Sequence, residues 1–330
     1  MNNQTGQIKI EWIRGMYKNK SICVVVPAHN EESQIENVIQ TMPDYVDEVI
    51  VIDDASTDDT VKQVGKFLGN HSKVSLIRHR ANKGVGGAIS SGYRSALEKG
   101  YDVTAVMAGD GQMDPYDLES IILPVVNEEA DYSKANRLFY GDAWKMIPHH
   151  RYLGNSFLSL LTKIASGYWH VADSQSGFAA ISLRALQRIA LDQVYQDFGM
   201  PNDLLIKLNI HDFRVKDVHV KPRYNVGERS DIKLARLIPR ILWLLFKGFW
   251  KRLFVKYVIK DFHPLVFFYL LGTLFAGITF TLFLRVFYYW IFVGHIPPIN
   301  ALAAMFSFMS CSLFTLFAMW FDMESNKDLK

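Results

Sequence analysis

Two long uncharged runs near the C-terminus, Leu265–Leu284 and Ala301–Phe321, restrict the possible folds of this chain more than any other feature. Each approaches the ~20 apolar residues an α-helix needs to cross a bilayer. A pair of buried core helices is the alternative reading. Rich Phe and Leu content and the Pro297–Pro298 turn between the runs favour two membrane spans, so residues 264–330 are expected to form two transmembrane helices and a short tail. The flanks give an orientation. The approach to the first run is strongly basic, whereas the connector between the runs carries only Arg285. Positive-inside reasoning puts the N-terminal region and the C-terminal tail in the cytoplasm, at the cell (inner) membrane.

Net charge conceals this segregation. The 330 residues hold 36 Lys plus Arg against 33 Asp plus Glu, a formal +3. Residues 229–260 alone carry nine basic side chains and one acid, which leaves the rest of the chain acidic. Lys233, Arg236, Arg240, Lys247 and Lys251 recur at helical spacing on one face; Ile238, Ile241, Leu242, Leu245, Phe246 and Phe249 occupy another. The pattern predicts an amphipathic interfacial segment over 229–263 that is attracted to anionic lipid headgroups, kinked or divided at Pro239. A solvated charged helix is the rival.

Composition excludes several classes. A chain that is 49% hydrophobic and 21% charged is not disordered. Cys23 and Cys311 supply neither a disulfide framework nor a metal cluster. Met1–Lys20 lacks a continuous apolar stretch, so no signal peptide is expected and residues 1–228 are read as one cytosolic domain. No nucleic-acid partner is expected.

Those 228 residues alternate between strand and helix patterns. Ile22–Val26, Glu48–Ile52, Val74–Arg78 and Val103–Ala108 read as strands; Glu31–Met42, Thr57–Leu68 and Gly86–Lys99 read as helices. Alternation of this kind implies an α/β fold with a parallel sheet, whose ligands bind beyond the carboxyl ends of the strands. Four polar motifs stand out, three of them at such ends. Pro27–Glu32 follows strand one, where proline is expected to stop the ladder, and Asp53–Asp54 follows strand two. Asn82–Gly87 precedes a helix; it lacks the third glycine of a dinucleotide loop, and a plain turn explains it as well as an anion site. In Asp110–Pro115, Asp110 and Gln112 fall on one side of an extended segment, a two-oxygen platform for a hard divalent cation. An Asx turn with a helix cap at Asp114 is the competing reading.

The motifs VVVPAHNEE, VIVIDDASTDDT, NKGVGGAISSGYRSA, AGDGQMDP and DSQSGFAAIS stand in this order over Ser21–Ser182, with a weaker continuation in HVKPRYNVGERS. Together they resemble the inverting family 2 glycosyltransferases, which include dolichyl-phosphate mannose synthase and bacterial polyprenyl-phosphate glucosyltransferases. The resemblance implies a GT-A nucleotide-sugar-binding domain, with a Rossmann-like mixed sheet, and Mg²⁺ or Mn²⁺ as cofactor. It implies that Pro27, Glu31, Asp53 and Asp54 hold base or ribose, with Lys83 on the donor side. The metal would be held by Asp110 and Gln112; Ala108 occupies the first position of the family's Asp-x-Asp motif. Arg137 and Arg151 match positions that bind acceptor phosphate, with Arg223 or Arg229 as a further contact. Asp173 and Gln175 line the sugar and reaction centre, and Asn202–Asp203 is a second acidic candidate.

The polyprenyl-phosphate acceptor that the resemblance implies sets the mechanism. Phosphate monoesters have a second pKa near ~6 and are already anionic nucleophiles at neutral pH. The protein must align two anions and stabilise the departing diphosphate, with less need of a base. Asp173 is therefore read as orienting the sugar, with a base role as its alternative. His149, His150, His170, His211 and His219 form no ligand pair and are assigned no chemistry. The expected activity is transfer of one sugar from a UDP- or GDP-hexose to undecaprenyl or dolichyl phosphate at the cytoplasmic face. Rival readings are transfer to another lipid or a protein, and a catalytically silent nucleotide-sugar-binding scaffold. Gly272 and Gly277 would allow helix association in a homo-oligomer.

Overall fold

The computed structural model describes residues 17–69, 72–141, 143–223 and 234–330. In chain order the first elements are β1 (Ile22–Ala28), α1 (Ile35–Gln40), β2 (Glu48–Asp53), α2 (Thr60–Gly65), β3 (Val74–Arg78), α3 (Val85–Lys99) and β4 (Val103–Val106). Next come α4 (Leu118–Val126), β5 (Tyr132–Asn136), α5 (Ala143–Met146), α6 (His149–Ser166), β6 (Ala179–Ser182) and α7 (Leu183–Arg188). The chain closes with α8 (Met200–Ile210), β7 (Val215–His219), α9 (Leu234–Phe254), α10 (Leu265–Tyr288) and α11 (Pro298–Ser325). It divides into two compact units: Met1–Ala135, Gly177–Asp197 and Arg223–Glu228 form one; Asn136–Ser176, Phe198–Pro222 and Arg229–Lys330 form the other.

The first unit is the α/β layer structure expected from the alternation. Six of its strands stand in the order β3-β2-β1-β4-β6-β5. The β1–β2, β2–β3 and β1–β4 pairs are parallel, whereas β6 runs antiparallel to β4 and β5, making the sheet mixed. Every residue of β1 is buried, as an unbroken apolar strand covered on both faces should be. Helix α3 crosses β1 closely at Gly92: a Cβ there would come within 2.2 Å of Val25 Cγ1.

Pro27 does not stop the ladder. β1 continues through Pro27, opposite Ile52, to Ala28, opposite Asp53. The Pro27 carbonyl accepts from Gly109 N–H (3.0 Å), so this residue faces the β4 side, where regular pairing has already ended at Val25. A missing N–H costs no ladder bond there. β4 likewise ends two residues before the expected Ala108.

In the second unit α9 packs Ile241 and Leu245 into a core with Ala165 of α6 and Ile206 and Ile210 of α8. The expected single apolar face is thus two. Ile241 and Leu245 are 2% and 4% exposed, whereas Ile238, Leu242, Trp243 and Phe246 lie outward. Arg240, Lys247 and Lys251 occupy a third, exposed sector. Pro239 does not divide α9, which runs unbroken from Leu234 to Phe254. Lys233 lies outside the described residues, as does the Arg236 side chain.

Leu265–Val293 and Pro298–Ser325 are long and apolar enough to cross a membrane, with mean hydropathies of 2.0 and 1.8. Only 17% of the most apolar stretch of each is buried, whereas a core helix would be mostly buried. The two helices pack together through Phe275 and Phe314 (ring centroids 5.7 Å apart) and through Gly272, where a Cβ would lie 2.8 Å from Thr315 Oγ1. Gly272 therefore serves this intrachain contact; Gly277 faces open space. Long apolar helices with exposed flanks fit membrane association.

Candidate active site

Two clusters of polar residues, one in each unit, contain the residues singled out from the motifs, apart from Arg151 and Arg229. In the first unit they gather at the carboxyl ends of β1, β2 and β4.

Asp53 ends β2 with 1% exposure. Its Oδ1 accepts from Ser56 N–H (3.3 Å), and Oδ2 is 3.7 Å from Arg78 Nε but has no hydrogen-bond partner. A buried carboxylate oxygen left so is an acceptor in need of a donor, as a ribose hydroxyl would supply. Beside it a hollow of about 470 Å³ is lined by Ala55, Ser56, Arg78, His79 and Arg80. Asp54, 3% exposed, works differently. Its Oδ1 accepts from Lys83 N–H (2.9 Å) and pairs with His79 Nδ1 (2.6 Å), while His79 Nε2 meets Ser91 Oγ (2.9 Å). Asp54 thus ties the end of β3 to the loop before α3 and holds Lys83, whose side chain is exposed.

Asp110 sits in a turn, and the expected extended segment is absent. Once β4 ends at Val106, Gly111 adopts a φ of +72° and Gln112 N–H returns to Asp110 Oδ1 (3.0 Å). Asp114 makes the cap anticipated by the competing reading, accepting from Tyr116 N–H (3.1 Å). Arg223 lies 3.3 Å from Asp114 Oδ2. Glu31, on the loop after β1, has its carboxyl pushed up to about 7, first by burial and then by the nearby Asp110 and Asp58 carboxylates. Pro27 is backbone structure within β1. Among the described residues no group of three or more His, Cys, Asp and Glu side chains is placed to hold a metal. Asp110 and Gln112 offer two oxygen donors, which fits a Mg²⁺-type ion that takes most of its ligands from water and phosphate.

In the second unit Asp173 is wholly buried and holds Arg137 in a two-toothed pair: Arg137 Nε donates to Oδ2 (2.8 Å) and Nη2 to Oδ1 (3.3 Å). The amides of Arg137 and Gln175 also donate to this carboxylate (both 3.2 Å). With both oxygens engaged, Asp173 is a positioning group for a guanidinium whose side chain keeps 23% exposure. Gln175 Nε2 donates to Asn202 Oδ1 (2.8 Å), which also accepts from Thr162 (3.1 Å). Asp203 pairs with Lys207 one turn along α8. Burial lowers the Lys207 pKa, and Asp203 partly offsets that effect.

Sequence reasoning missed several members. Arg78 ends β3 and His79 and Arg80 follow it; none of the motifs singled them out. Asp217 on β7 accepts from Asn136 Nδ2 (2.9 Å) and Ala172 N–H (2.7 Å), steadying the segments that carry Arg137 and Asp173. No local motif marks it. Arg151 stands in the first turn of α6, its side chain outside the described residues, and Arg229 lies outside them altogether.

Comparison with known proteins gives the family and the fold. The profile of Glycosyl transferase family 2 matches residues 23–190. A UDP-N-acetylglucosamine–dolichyl-phosphate N-acetylglucosaminyltransferase of Methanococcus voltae is 30% identical over 245 residues, covering 68% of this chain and 96% of the relative. An undecaprenyl-phosphate mannosyltransferase of Micrococcus luteus is 29% identical over 189 residues, covering 56% and 76%. The crystal structure of glucosyl-3-phosphoglycerate synthase from Mycobacterium tuberculosis, in complex with Mn²⁺, UDP and glucosyl-3-phosphoglycerate, superposes with a TM-score of 0.53 at 22% identity. That match covers 70% of this chain and 80% of the synthase, and it establishes the GT-A-like fold.

Proposed function

Because the chain belongs to glycosyl transferase family 2 and is a glycosyltransferase, we propose that it moves one sugar, with inversion, from a UDP- or GDP-hexose to a polyprenyl phosphate. The reaction would take place at the cytoplasmic face of the cell membrane. The names of the two polyprenyl-phosphate relatives support the acceptor class, and the two apolar helices with their basic approach support the location.

One observation carries the choice of acceptor: the Arg137 guanidinium fixed on the buried Asp173 carboxylate. A hydroxyl acceptor requires a base, and Asp173, engaged by Arg137 and the Gln175 amide, is poorly disposed to take a proton. A phosphate acceptor requires a fixed cation, which Arg137 provides. On the donor side the free Oδ2 of Asp53 would accept from the ribose, with Arg78, His79 and Arg80 beside the base or phosphates. Lys83, steadied through Asp54, would neutralise the diphosphate. Asp110 and Gln112 would hold a Mg²⁺ or Mn²⁺ ion, which when bound would supply Lewis-acid stabilisation of the leaving diphosphate. Arg137 orients the acceptor oxygen, which attacks the anomeric carbon from the face opposite the leaving group.

The test is incubation of the purified protein with undecaprenyl phosphate, Mg²⁺ or Mn²⁺ and a panel of nucleotide sugars, with mass spectrometry of the lipid product. A glycosyl-phospholipid from one donor is the expected result. Failure with every donor overturns the reading.

A further inference from the structure

We propose that the residues following the second apolar helix form a strap that positions Arg137 for the acceptor, with Asn326 and Leu329 as its points of attachment. This inference rests on the polyprenyl-phosphate reading above, which makes Arg137 the acceptor cation.

Asn326 is the first residue beyond α11 and is 4% exposed. Its Oδ1 accepts from Asn209 Nδ2 (2.8 Å), on α8, and from Lys256 Nζ (2.9 Å), just beyond α9. Its Nδ2 donates to Tyr257 Oη (2.8 Å) and to the Asp322 carbonyl (2.6 Å). A primary amide has two donor hydrogens and two acceptor lone pairs, so this side chain is saturated. A chain end that merely trailed from a helix would leave such groups to water. Further along, the Leu329 carbonyl accepts from the N–H of Val215 (3.0 Å), the first residue of β7. Val215 is wholly buried, so this N–H needs a protein partner, and the tail provides it.

β7 passes the restraint to the guanidinium. Asp217 on this strand accepts from Asn136 Nδ2 and from Ala172 N–H. Asn136 precedes Arg137, and its Oδ1 accepts from the amides of Leu138 and Phe139 (3.1 and 3.3 Å). Ala172 precedes Asp173, which grips Arg137. His170 Nε2 donates to the Val215 carbonyl (2.7 Å), so Val215 is joined to the tail by its N–H and to the segment before Asp173 by its carbonyl. Every link lies within the second compact unit. Accuracy matters here, because a misplacement of about 1 Å in a group that aligns reactants can cost about 100-fold in rate. The strap thus ties the acceptor cation to a helix that fits membrane association, the phase in which a polyprenyl chain dissolves.

Two variants of the full-length protein, studied in detergent, release the strap: Asn326→Ala, and a chain ended after Asp328, which lacks the Leu329 carbonyl. In both, amide hydrogen exchange should quicken about tenfold at Arg137–Phe139 and Gln175 and keep the wild-type rate at Ser56 and Lys83 on the donor side. The kcat/KM for undecaprenyl phosphate should fall about tenfold with the donor KM unchanged. Combining either variant with Asp217→Asn should lose no more than Asp217→Asn alone, because both act along one line of contacts. Lys327→Ala and Lys330→Ala, at exposed tail side chains, should match the wild type throughout. Unchanged exchange, unchanged lipid kinetics, or losses that add to that of Asp217→Asn each overturn the proposal. So does a donor KM that rises with the acceptor's, the mark of a general loosening. If Asn326→Ala fails to fold, the chain ended after Asp328 carries the measurement. A wild type that glycosylates no polyprenyl phosphate refutes instead the acceptor reading, and hydrogen exchange then still decides whether the tail restrains Arg137.

Discussion

Arg252 and Asp322 form a wholly buried, two-toothed ion pair, with Nη1–Oδ1 at 2.8 Å and Nη2–Oδ2 at 2.9 Å, that joins α9 to the last turn of α11. The same guanidinium caps the end of α6: Nε donates to the Ala165 carbonyl (2.9 Å) and Nη2 to that of Ile164 (3.2 Å). Tyr257 donates to Asp322 Oδ1 (2.8 Å), and Lys256 reaches the Asn209 carbonyl at the end of α8 (3.1 Å). The helices that carry Ser159, Thr162 and Asn202 are therefore anchored at their C-terminal ends to the second apolar helix.

Removing either partner strands a buried charge. Arg252→Ala or Asp322→Ala is expected to lower stability by about 3–5 kcal/mol. The apolar pair Arg252→Met with Asp322→Leu should lose much less than the two single losses added together. Thermal melting of the four proteins in detergent, treated as a double-mutant cycle, checks this; additive losses would show that the pair is not coupled.

Asp173→Asn keeps the shape of the Arg137 support and removes its charge. The expected effect is a fall of about 10- to 100-fold in kcat/KM for the lipid acceptor, with the donor KM unchanged. The acidic limb of the pH–rate profile should persist. Loss of that limb with abolished turnover would instead make Asp173 the base.

Asp110→Ala should reduce transfer by at least about 100-fold, the scale expected when charge stabilisation of a leaving group is lost. Gln112→Ala should chiefly raise the metal concentration needed for half-maximal rate. Chelation of the wild type should stop turnover, and added Mg²⁺ or Mn²⁺ should restore it. Full activity in chelator would exclude the metal site proposed at Asp110 and Gln112.

Glu31 makes stability depend on pH. Burial, then Asp110 and Asp58, push its carboxyl from about 4.5 up to about 7, so the folded state binds this proton more tightly than the unfolded chain. The contribution is fully present below the unfolded pKa and is lost as pH rises through 7. Glu31→Gln should then be more stable than wild type at pH 8, by about 1 kcal/mol because water screens a partly exposed side chain, with the gap closing by pH 5. Melting curves at both values decide it. Added Mg²⁺ should narrow the pH 8 gap by offsetting the repulsion.

Much of the donor side was legible in the chain because parallel α/β units write their ligand residues next to their strands. Asp53 and Asp110 follow apolar runs, and that adjacency alone placed them at the carboxyl edge of the sheet. His79 and Asp217 were not legible. Each matters through a partner far along the chain, Asp54 in one case and Asn136 in the other, and no spacing rule encodes such a pairing. Pro27 misled for a related reason: whether a missing N–H breaks a strand depends on which neighbour that side of the strand faces.

Sequence by itself determined the alternating α/β layer, the family motifs, the basic approach and the two apolar helices. All of these are expressed in local periodicity, composition and order. Tertiary structure alone decided what each polar residue does. It made Asp54 a brace for the Lys83 loop, Asp173 a support for Arg137, and one side of α9 protein core. It also drew Arg252 and Asp322, 70 residues apart, into one buried pair. Hydrogen bonds and ion pairs act over a few ångströms in space and are indifferent to separation along the chain, so these roles appear only once the chain has folded.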